Sequence, residues 1–414
     1  MAGDALAGYR VLDFGTAFAS PMAAHLLADM GAEVIKIESR TRLDGLRLGR
    51  PIVGEDIAGG DRGEWPEYQP VFHGLNRSKL GITVNLKHPD GVALLKRLVC
   101  LSDVVLNNFS PGVMARAGLA YEVLRAEKAD LIYVSLPAAG ESGPLRDIVT
   151  YAPVIAGLAG ISGLVGYSGA REDFVGTIQA AFCDALGALN AVVAILAALR
   201  HRKATGEGQA IEISQWEASV SLLGEGVMDY IMNGRVRSPT GNAHPAMVPH
   251  NNYRCAGEDA WVAIAVHSEA EWRALCQAMD HPEWSNDPRF ADAYRRMQHR
   301  EELDALMTAW TSERTPSAIM EQLQAVGVAA MPVMNLEDQF TDPHLRAREV
   351  HLECEHPKVG IEWLHGIPWR LSDTPGRIHR PAPLLGEHNQ YVFGELLGLS
   401  ASEIQQLTES EAIL

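Results

Sequence analysis

The first forty residues constrain the fold more tightly than any other stretch of the chain. Arg10-Val11-Leu12-Asp13-Phe14 reads as an apolar strand, and Ser20-Pro21 as the N-cap and first position of a helix over 21–30. Gly31 stops that helix, and Glu33-Val34-Ile35-Lys36-Ile37-Glu38 is a second strand, completing a βαβ unit. The alternation continues through a helical pattern at 92–100 and strands at 103–106, 131–135 and 210–214. An α/β layer with a mostly parallel sheet follows, a Rossmann-like core.

Beyond Ser214 a helix over 216–232 leads into a loop over 233–252 rich in Gly, Asn, His and Pro. A second, smaller α/β unit then reads as a strand at 261–266, helices at 269–279, 300–311 and 315–325, and a strand at 328–334. From Pro381 the tail returns to a loop and a helix over 391–397. No internal repeat is visible.

At 414 residues the chain is long enough for about two domains, and 47% hydrophobic with 21% charged residues is a globular balance. A net charge of -17 disfavours a nucleic-acid surface, and any anionic ligand must find local cations or helix N-termini against a repulsive global field. No apolar run reaches the roughly 18 uninterrupted residues of a membrane span, and Met1-Ala2-Gly3-Asp4 has no basic signal-peptide head, so a cytoplasmic protein is expected. Five widely spaced cysteines, Cys100, Cys183, Cys255, Cys276 and Cys354, fit neither a zinc site nor a disulfide framework.

Chemistry points first to Asp184, which stands at the head of the apolar helical run Phe182 to Leu199. Ala181, Ala185, Gly187 and Ala188 around it are too small to cover a carboxylate, and helix amides there favour negative charge. The bland alternative is an Asp N-cap. Arg200, His201, Arg202 and Lys203 close the helix before Thr205-Gly206-Glu207-Gly208-Gln209 turns the chain into the next strand. Cys183, adjacent to Asp184, reads as a buried thiol rather than a nucleophile. A nicotinamide enzyme competes, because Glu38 ends the second strand where a ribose-binding acid would lie. The first loop, Gly15-Thr16-Ala17-Phe18-Ala19-Ser20, has one glycine where the dinucleotide fingerprint needs three, which argues against that reading.

The segment from Asp184 to Ser214 resembles the helix and turn of the class III coenzyme A-transferases, the CaiB/BaiF family that includes formyl-CoA transferase, carnitine CoA-transferases and alpha-methylacyl-CoA racemase. Leu27-Ala28-Asp29-Met30-Gly31-Ala32-Glu33-Val34, Asn76-Arg77-Ser78-Lys79, Asn85-Leu86-Lys87-His88-Pro89, Asn108-Phe109-Ser110-Pro111-Gly112 and Leu384-Leu385-Gly386-Glu387-His388 extend the resemblance in order along the chain. It implies transfer of CoA from an acyl-CoA to a carboxylic acid, with Asp184 as nucleophile passing through an aspartyl anhydride and an aspartyl-CoA thioester. No metal or tightly bound cofactor is expected; CoA is a substrate.

By the same resemblance, Ala17, Arg40, Leu75, Lys79, Asn108, Phe109 and Arg116 bind CoA. Lys79 and Arg116 would meet phosphate, Phe109 would line the pantetheine channel, and Asn108 would bond an amide of the arm. Arg40 would replace the adenine-side arginine that the family has where this chain has Ser39. Phe18, Tyr151, His244 and His250 are the substrate candidates. Tyr151 occupies the place of the histidine that partners the aspartate in the racemase branch, and a phenol with a pKa of about 10 is a poor proton shuttle near neutrality, so an epimerase is the alternative reading. The run Trp65 to Leu75 resembles members built of two unlike subunits, which leaves open a heteromer or a non-catalytic subunit. The expected organisation is a large domain over 1–215, a linker and small domain over 216–335, and a return segment over 336–414 that completes the large domain, with two chains interlocked as a dimer.

Overall fold

The computed structural model describes residues 4–49, 63–167 and 181–414. Six parallel strands form the central sheet: β1 (Arg10–Asp13), β2 (Glu33–Glu38), β3 (Leu80–Thr83), β4 (Val104–Asn107), β5 (Ile132–Ser135) and β6 (Gln209–Glu212), in the order β3-β2-β1-β4-β5-β6. That order reverses direction between β1 and β4, and the crevice at the carboxyl ends of those two strands is where open α/β sheets bind ligands.

Alternation along each strand feeds two cores. Val11, Val34, Val104, Leu106, Ile132 and Val134 face α1 (Ala19–Asp29) and a later long helix. Leu12, Phe14, Ile35, Ile37, Leu80 and Ile82 face the opposite layer. That layer contains α3 (Pro89–Cys100) and α5 (Tyr121–Glu127), which follow α2 (Pro70–Asn76) and the single turn α4 (Val113–Arg116). The second layer is finished by the far end of the chain. Val392 and Phe393, in a π-helical stretch Gln390–Leu396, and Ile413 bury themselves in it. His388 N donates to Gly81 O at 2.9 Å and Asn85 N to Ala412 O at 3.0 Å, so the tail is tied to both ends of β3.

Next come α6 (Ala152–Leu158) and α7 (Phe182–Thr205). By length and composition α7 could cross a membrane, with mean hydropathy 2.0, which the reading by uninterrupted apolar runs passed over. Here Ala188, Ala191, Ile195, Ala198 and Leu199 of α7 are buried in the core against α1 and the sheet, while Leu189, Val193 and Leu196 on its other face are exposed.

The helix expected over 216–232 is broken into α8 (Gln215–Val220), a 3-10 turn Ser221–Leu223 and α9 (Gly224–Asn233). Two glycines, Gly224 and Gly226, follow the turn, and they weaken a continuous helix at that point. Ser214 caps α8 by accepting from Glu217 N, while Gln215 N and Trp216 N bond Pro137 O and Ala138 O beyond β5. Those bonds keep α8 with the large unit rather than in a linker. The change of unit falls at Val236/Arg237 and again at Arg346/Ala347, not at the expected 215/216 and 335/336.

The smaller unit has an antiparallel sheet of β7 (His250–Arg254), β8 (Trp261–Ala265) and β9 (Ala329–Pro332). Helices α10 (Glu269–Ala278), α11 (Ala293–Gln298), α12 (Arg300–Thr311), α13 (Pro316–Gln324), α14 (Leu336–Thr341) and α15 (Pro343–Ala347) accompany it. Its core gathers Trp272, Phe290, Met307, Ile319 and Leu323. A hairpin of β10 (His351–His356) and β11 (Gly360–His365) and a final helix α16 (Ala401–Glu409) belong to the return segment.

Candidate active site

A cleft of about 1500 Å³ opens over the carboxyl ends of β1, β2, β4 and β5. Its floor is the β1–α1 loop, and four buried charges set that loop. Asp13 Oδ1 accepts from Gly15 N and Ser20 Oγ, each at 2.9 Å, while Oδ2 accepts from Lys79 Nζ at 2.8 Å. Lys36 Nζ donates to Gly15 O and to Asp44 Oδ2, and Asp44 Oδ1 accepts from Ala17 N at 3.0 Å. Across the switch point Asn108 Oδ1 accepts from Thr16 N at 2.9 Å and Nδ2 donates to Thr16 O at 2.8 Å. Ala17 is thereby held at φ 58°, a left-handed conformation that a free alanine avoids.

Charge balance makes this burial tolerable. Desolvation alone would raise Asp13, but the adjoining Lys79 and Lys36 hold it below the usual carboxylate range. Burial depresses Lys79 to about 8. A single glycine suffices in the loop because its constraint is close packing: a Cβ on Gly15 would stand 2.1 Å from Ser20 Cβ.

Asp184 lies in the cleft wall at the third position of α7, so it is not the N-cap. That place is taken by Ala181, whose side chain makes no capping hydrogen bond. The first-turn amides are consequently left without an intrahelical acceptor or a side-chain cap. Among the described residues no hydrogen bond or ion pair reaches the Asp184 carboxylate, and burial raises it to about 6.

The expected CoA-binding residues separate into two groups. Ala17, Asn108, Phe109 and Arg116 line the cleft. Phe109 also packs on the core under β4, and the Asn108 amide is engaged with Thr16. Lys79 does not face a phosphate: it is fully buried, with Asp13, Asn76 and Pro21 O as its three acceptors. Arg40 is exposed, and one nitrogen of its guanidinium donates to Leu385 O of the returning tail at 3.0 Å. Its neighbour Arg42 lines the cleft instead, as do Lys87 and Arg146. Leu75 is buried on α2 and Phe18 is half-buried at the start of α1, both off the cleft wall.

Tyr151 is on the cleft rim, 77% exposed, as the N-cap residue of α6. His244 and His250 belong to the smaller unit, where their rings sit 5.3 Å apart. His250 Nδ1 pairs with Asn242 O at 2.7 Å, and His244 Nδ1 accepts from Ala246 N and Met247 N. Glu38 grips Arg47 through two 2.9 Å bonds, which occupies the carboxylate that a ribose would need.

Sequence reasoning missed Arg42, Lys87, Arg146 and Gln215. Lys87 was within reach, since it sits inside Asn85-Leu86-Lys87-His88-Pro89, four residues beyond the end of β3. Gln215 carries no sequence signal.

Residues 6–389 match the family model described as CoA-transferase family III. The chain belongs to that family. This class III CoA-transferase is 34% identical over 404 residues to the succinyl-CoA–D-citramalate CoA-transferase of Chloroflexus aurantiacus, covering 98% of this chain and 97% of the relative. It is 33% identical to the succinate–glutarate CoA-transferase of Agrobacterium fabrum, over 94% and 95% of the two chains. A crystal structure of a CaiB/BaiF family protein from Brucella suis superposes with a TM-score of 0.84 at 30% identity, covering 95% of this transferase and all of that chain. The family places the enzyme among transferases that move CoA between acids.

Proposed function

We propose that this transferase moves CoA from succinyl-CoA or a similar short acyl-CoA to a free carboxylic acid by covalent catalysis at Asp184. The observation that carries the proposal is the carboxylate itself: unpaired among the described residues, part-buried, raised to about 6, and set in the wall of a large cleft bearing several cations. A carboxylate with a pKa near 6 is ionised at neutral pH yet poorly solvated, which is what nucleophilic attack requires.

Asp184 attacks the thioester carbonyl, giving a mixed anhydride and the CoA thiolate. The thiolate attacks the aspartyl carbonyl, releasing the donor acid and leaving CoA as an aspartyl thioester. The acceptor carboxylate then attacks that thioester to form a second anhydride, and the thiolate attacks its acyl carbonyl to give the new CoA ester and free Asp184. Each tetrahedral oxyanion is met by the uncapped amides at the start of α7.

Arg42, Lys87 and Arg116, following β2, β3 and β4, receive the phosphates. Asp184 lies towards β5 and β6. From β2 and β3 three to five strand spacings of about 4.8 Å, on the order of 14–24 Å, separate these ends, and from β4 one or two, distances that the CoA arm spans. The relatives named for citramalate and glutarate support a short dicarboxylic acid as acceptor. The test is direct: incubate acetyl-CoA and succinyl-CoA with a panel of acids and identify the CoA esters formed by mass spectrometry. Adding hydroxylamine during turnover converts the activated acyl group to a hydroxamate, and the mark is expected on Asp184 alone.

A second copy of the chain, or a related subunit, covers the outer faces of α7 and α9. Val193 and Ile231 there are 68% and 69% exposed, and Leu189, Met228 and Met232 are exposed beside them. Relatives named as alpha and beta subunits of a succinyl-CoA–L-malate CoA-transferase support the heteromeric form. In the interlocked homodimer, two size-tagged populations mixed for a day exchange no subunits by native mass spectrometry; hybrids without denaturant would discard the interlock.

A further inference from the structure

Ala17 is the one residue of the β1–α1 loop that is exposed in the cleft and yet, without being glycine, held in the left-handed region at φ 58°. An alanine left to itself prefers the other hand, so something outside the residue must hold it there. Three side chains take the amides that open this loop. Gly15 N donates to Asp13, Thr16 N to Asn108, and Ala17 N to Asp44 Oδ1 at 3.0 Å. The hold on Ala17 itself is therefore Asp44.

That hold is rigid. Asp44 is 2% exposed; its Oδ1 also accepts from Leu46 N at 3.0 Å, and its Oδ2 accepts from Lys36 Nζ at 3.0 Å. Lys36, fully buried on β2, donates to Gly15 O as well, so the Asp44 carboxylate is tied to the sheet and to the loop at once. With its amides consumed, the loop has no main-chain donor left over residues 15–17. What remains is a carbonyl. Ala17 O would ordinarily be taken into the first turn of α1 by the amide four residues on, but that residue is Pro21, which has none. Among the described residues no hydrogen bond reaches Ala17 O. The loop is thus suited to a ligand that brings an N–H, and the arm of CoA carries two amides.

We infer that Asp44 is a positioning residue for CoA binding: it selects the left-handed conformation of Ala17, and the coenzyme arm binds the loop in that conformation. The inference rests on the CoA-transfer reading of this cleft. The competing role for Asp44 is purely structural, as the cap of the 3-10 turn Gly45–Arg47 and the counter-ion of Lys36. That role is indifferent to whether residue 17 has a Cβ, and this separates the two.

The experiment is a double-mutant cycle, read as affinity for free CoA by calorimetric titration and as KM and kcat with succinyl-CoA. Asp44→Ala lets Ala17 return to the ordinary hand, and the competent loop becomes the minor one. KM and the CoA Kd are expected to rise about 5- to 30-fold with kcat little changed. In an Ala17→Gly background the same substitution is expected to raise them only about 2-fold, because glycine visits both hands alike. If Asp44→Ala does not fold, Asp44→Ser, which can still cap Leu46 N, carries the same cycle. An equal rise in both backgrounds would leave Asp44 a cap and a counter-ion and overturn the inference, as would an unchanged KM or a loss confined to kcat. A wild type that neither binds CoA nor transfers it would instead sink the reading of the cleft.

Discussion

Asp13 and Asp184 are both carboxylates withdrawn from water at the same end of one sheet, and they are treated oppositely. Asp13 is enclosed completely and accepts from Lys79, a serine hydroxyl and a backbone amide, with Lys36 as a second positive charge nearby. Lys79 and Lys36 overcome the desolvation that would otherwise raise it, so it stays charged and inert. Asp184 is buried less and receives nothing from the described residues, and burial lifts it to about 6. On the function proposed above, the contrast separates a structural anion from a nucleophile. Partners, rather than depth, decide which of the two a buried carboxylate becomes.

The largest effect that tests this contrast is chemical. Asp184→Ala is expected to lower transfer by at least about 10³-fold while the protein still folds and binds CoA, measured by turnover and by calorimetric titration. Full activity in that variant would falsify the assignment. Asp13→Ala should do the reverse. Removing it leaves Lys79 buried without its anion, at about 3–5 kcal/mol of stability in urea unfolding. Lys79→Met belongs to the same experiment, since CoA affinity lost in a variant of undiminished stability would return Lys79 to phosphate binding.

A smaller and more diagnostic effect concerns pH. The folded-state pKa of Asp184 lies above the ordinary 3.8, so the native state holds its proton longer than the unfolded chain does. Ionising it costs the folded protein stability as pH rises through about 4 to 6, and the cost is complete above about 6. Asp184→Asn is therefore expected to stabilise the protein at pH 8 by about 2–3 kcal/mol and to add little near pH 4, at fixed protein concentration. Transfer by the wild type should fall as pH drops below about 6, because the protonated acid is no nucleophile. A stability gain that is equal at both pH values would show that charge is not its origin.

The smallest effect lies at the far end of the cleft. Arg116→Ala is expected to weaken CoA binding by about 1.5–3 kcal/mol without a change in melting temperature. Dephospho-CoA should be weakened less if the contact is to the 3'-phosphate. Unchanged affinity for both would leave Arg116 a solvated surface cation.

Strands β1, β2, β4 and β5 were legible because a parallel sheet covered on both faces writes its burial directly into the chain, whereas β3, equally buried, went unread because Leu80-Gly81-Ile82-Thr83 is short and broken by a glycine. The hairpin of β10 and β11 was not legible either, though Leu352, Cys354, Ile361 and Trp363 alternate with polar neighbours around a Pro-Lys-Val-Gly turn. Helix α16 also went unread, despite Ser400 and Glu403 forming a capping box. At the site, Asp184 stood out through the family resemblance, because an acid at the head of a helix is by itself an ordinary placement. Lys79 looked like a phosphate ligand for the same reason, a lone cation in a motif, and only its three buried acceptors show otherwise.

The sequence by itself determined the βαβ alternation and the apolar faces, which follow from side-chain type and from spacing within one element, and the family, which follows from motifs in order along the chain; the family resemblance is also what singled out Asp184. Which cations meet solvent, which acid keeps a partner and which loop residue is held left-handed were decided by tertiary structure alone. Those outcomes depend on atoms remote in sequence, such as Lys79 against Asp13 or Asp44 against Ala17, meeting within a few ångströms. At that range burial and pairing compete on nearly equal terms, and only the packed arrangement fixes which of them wins.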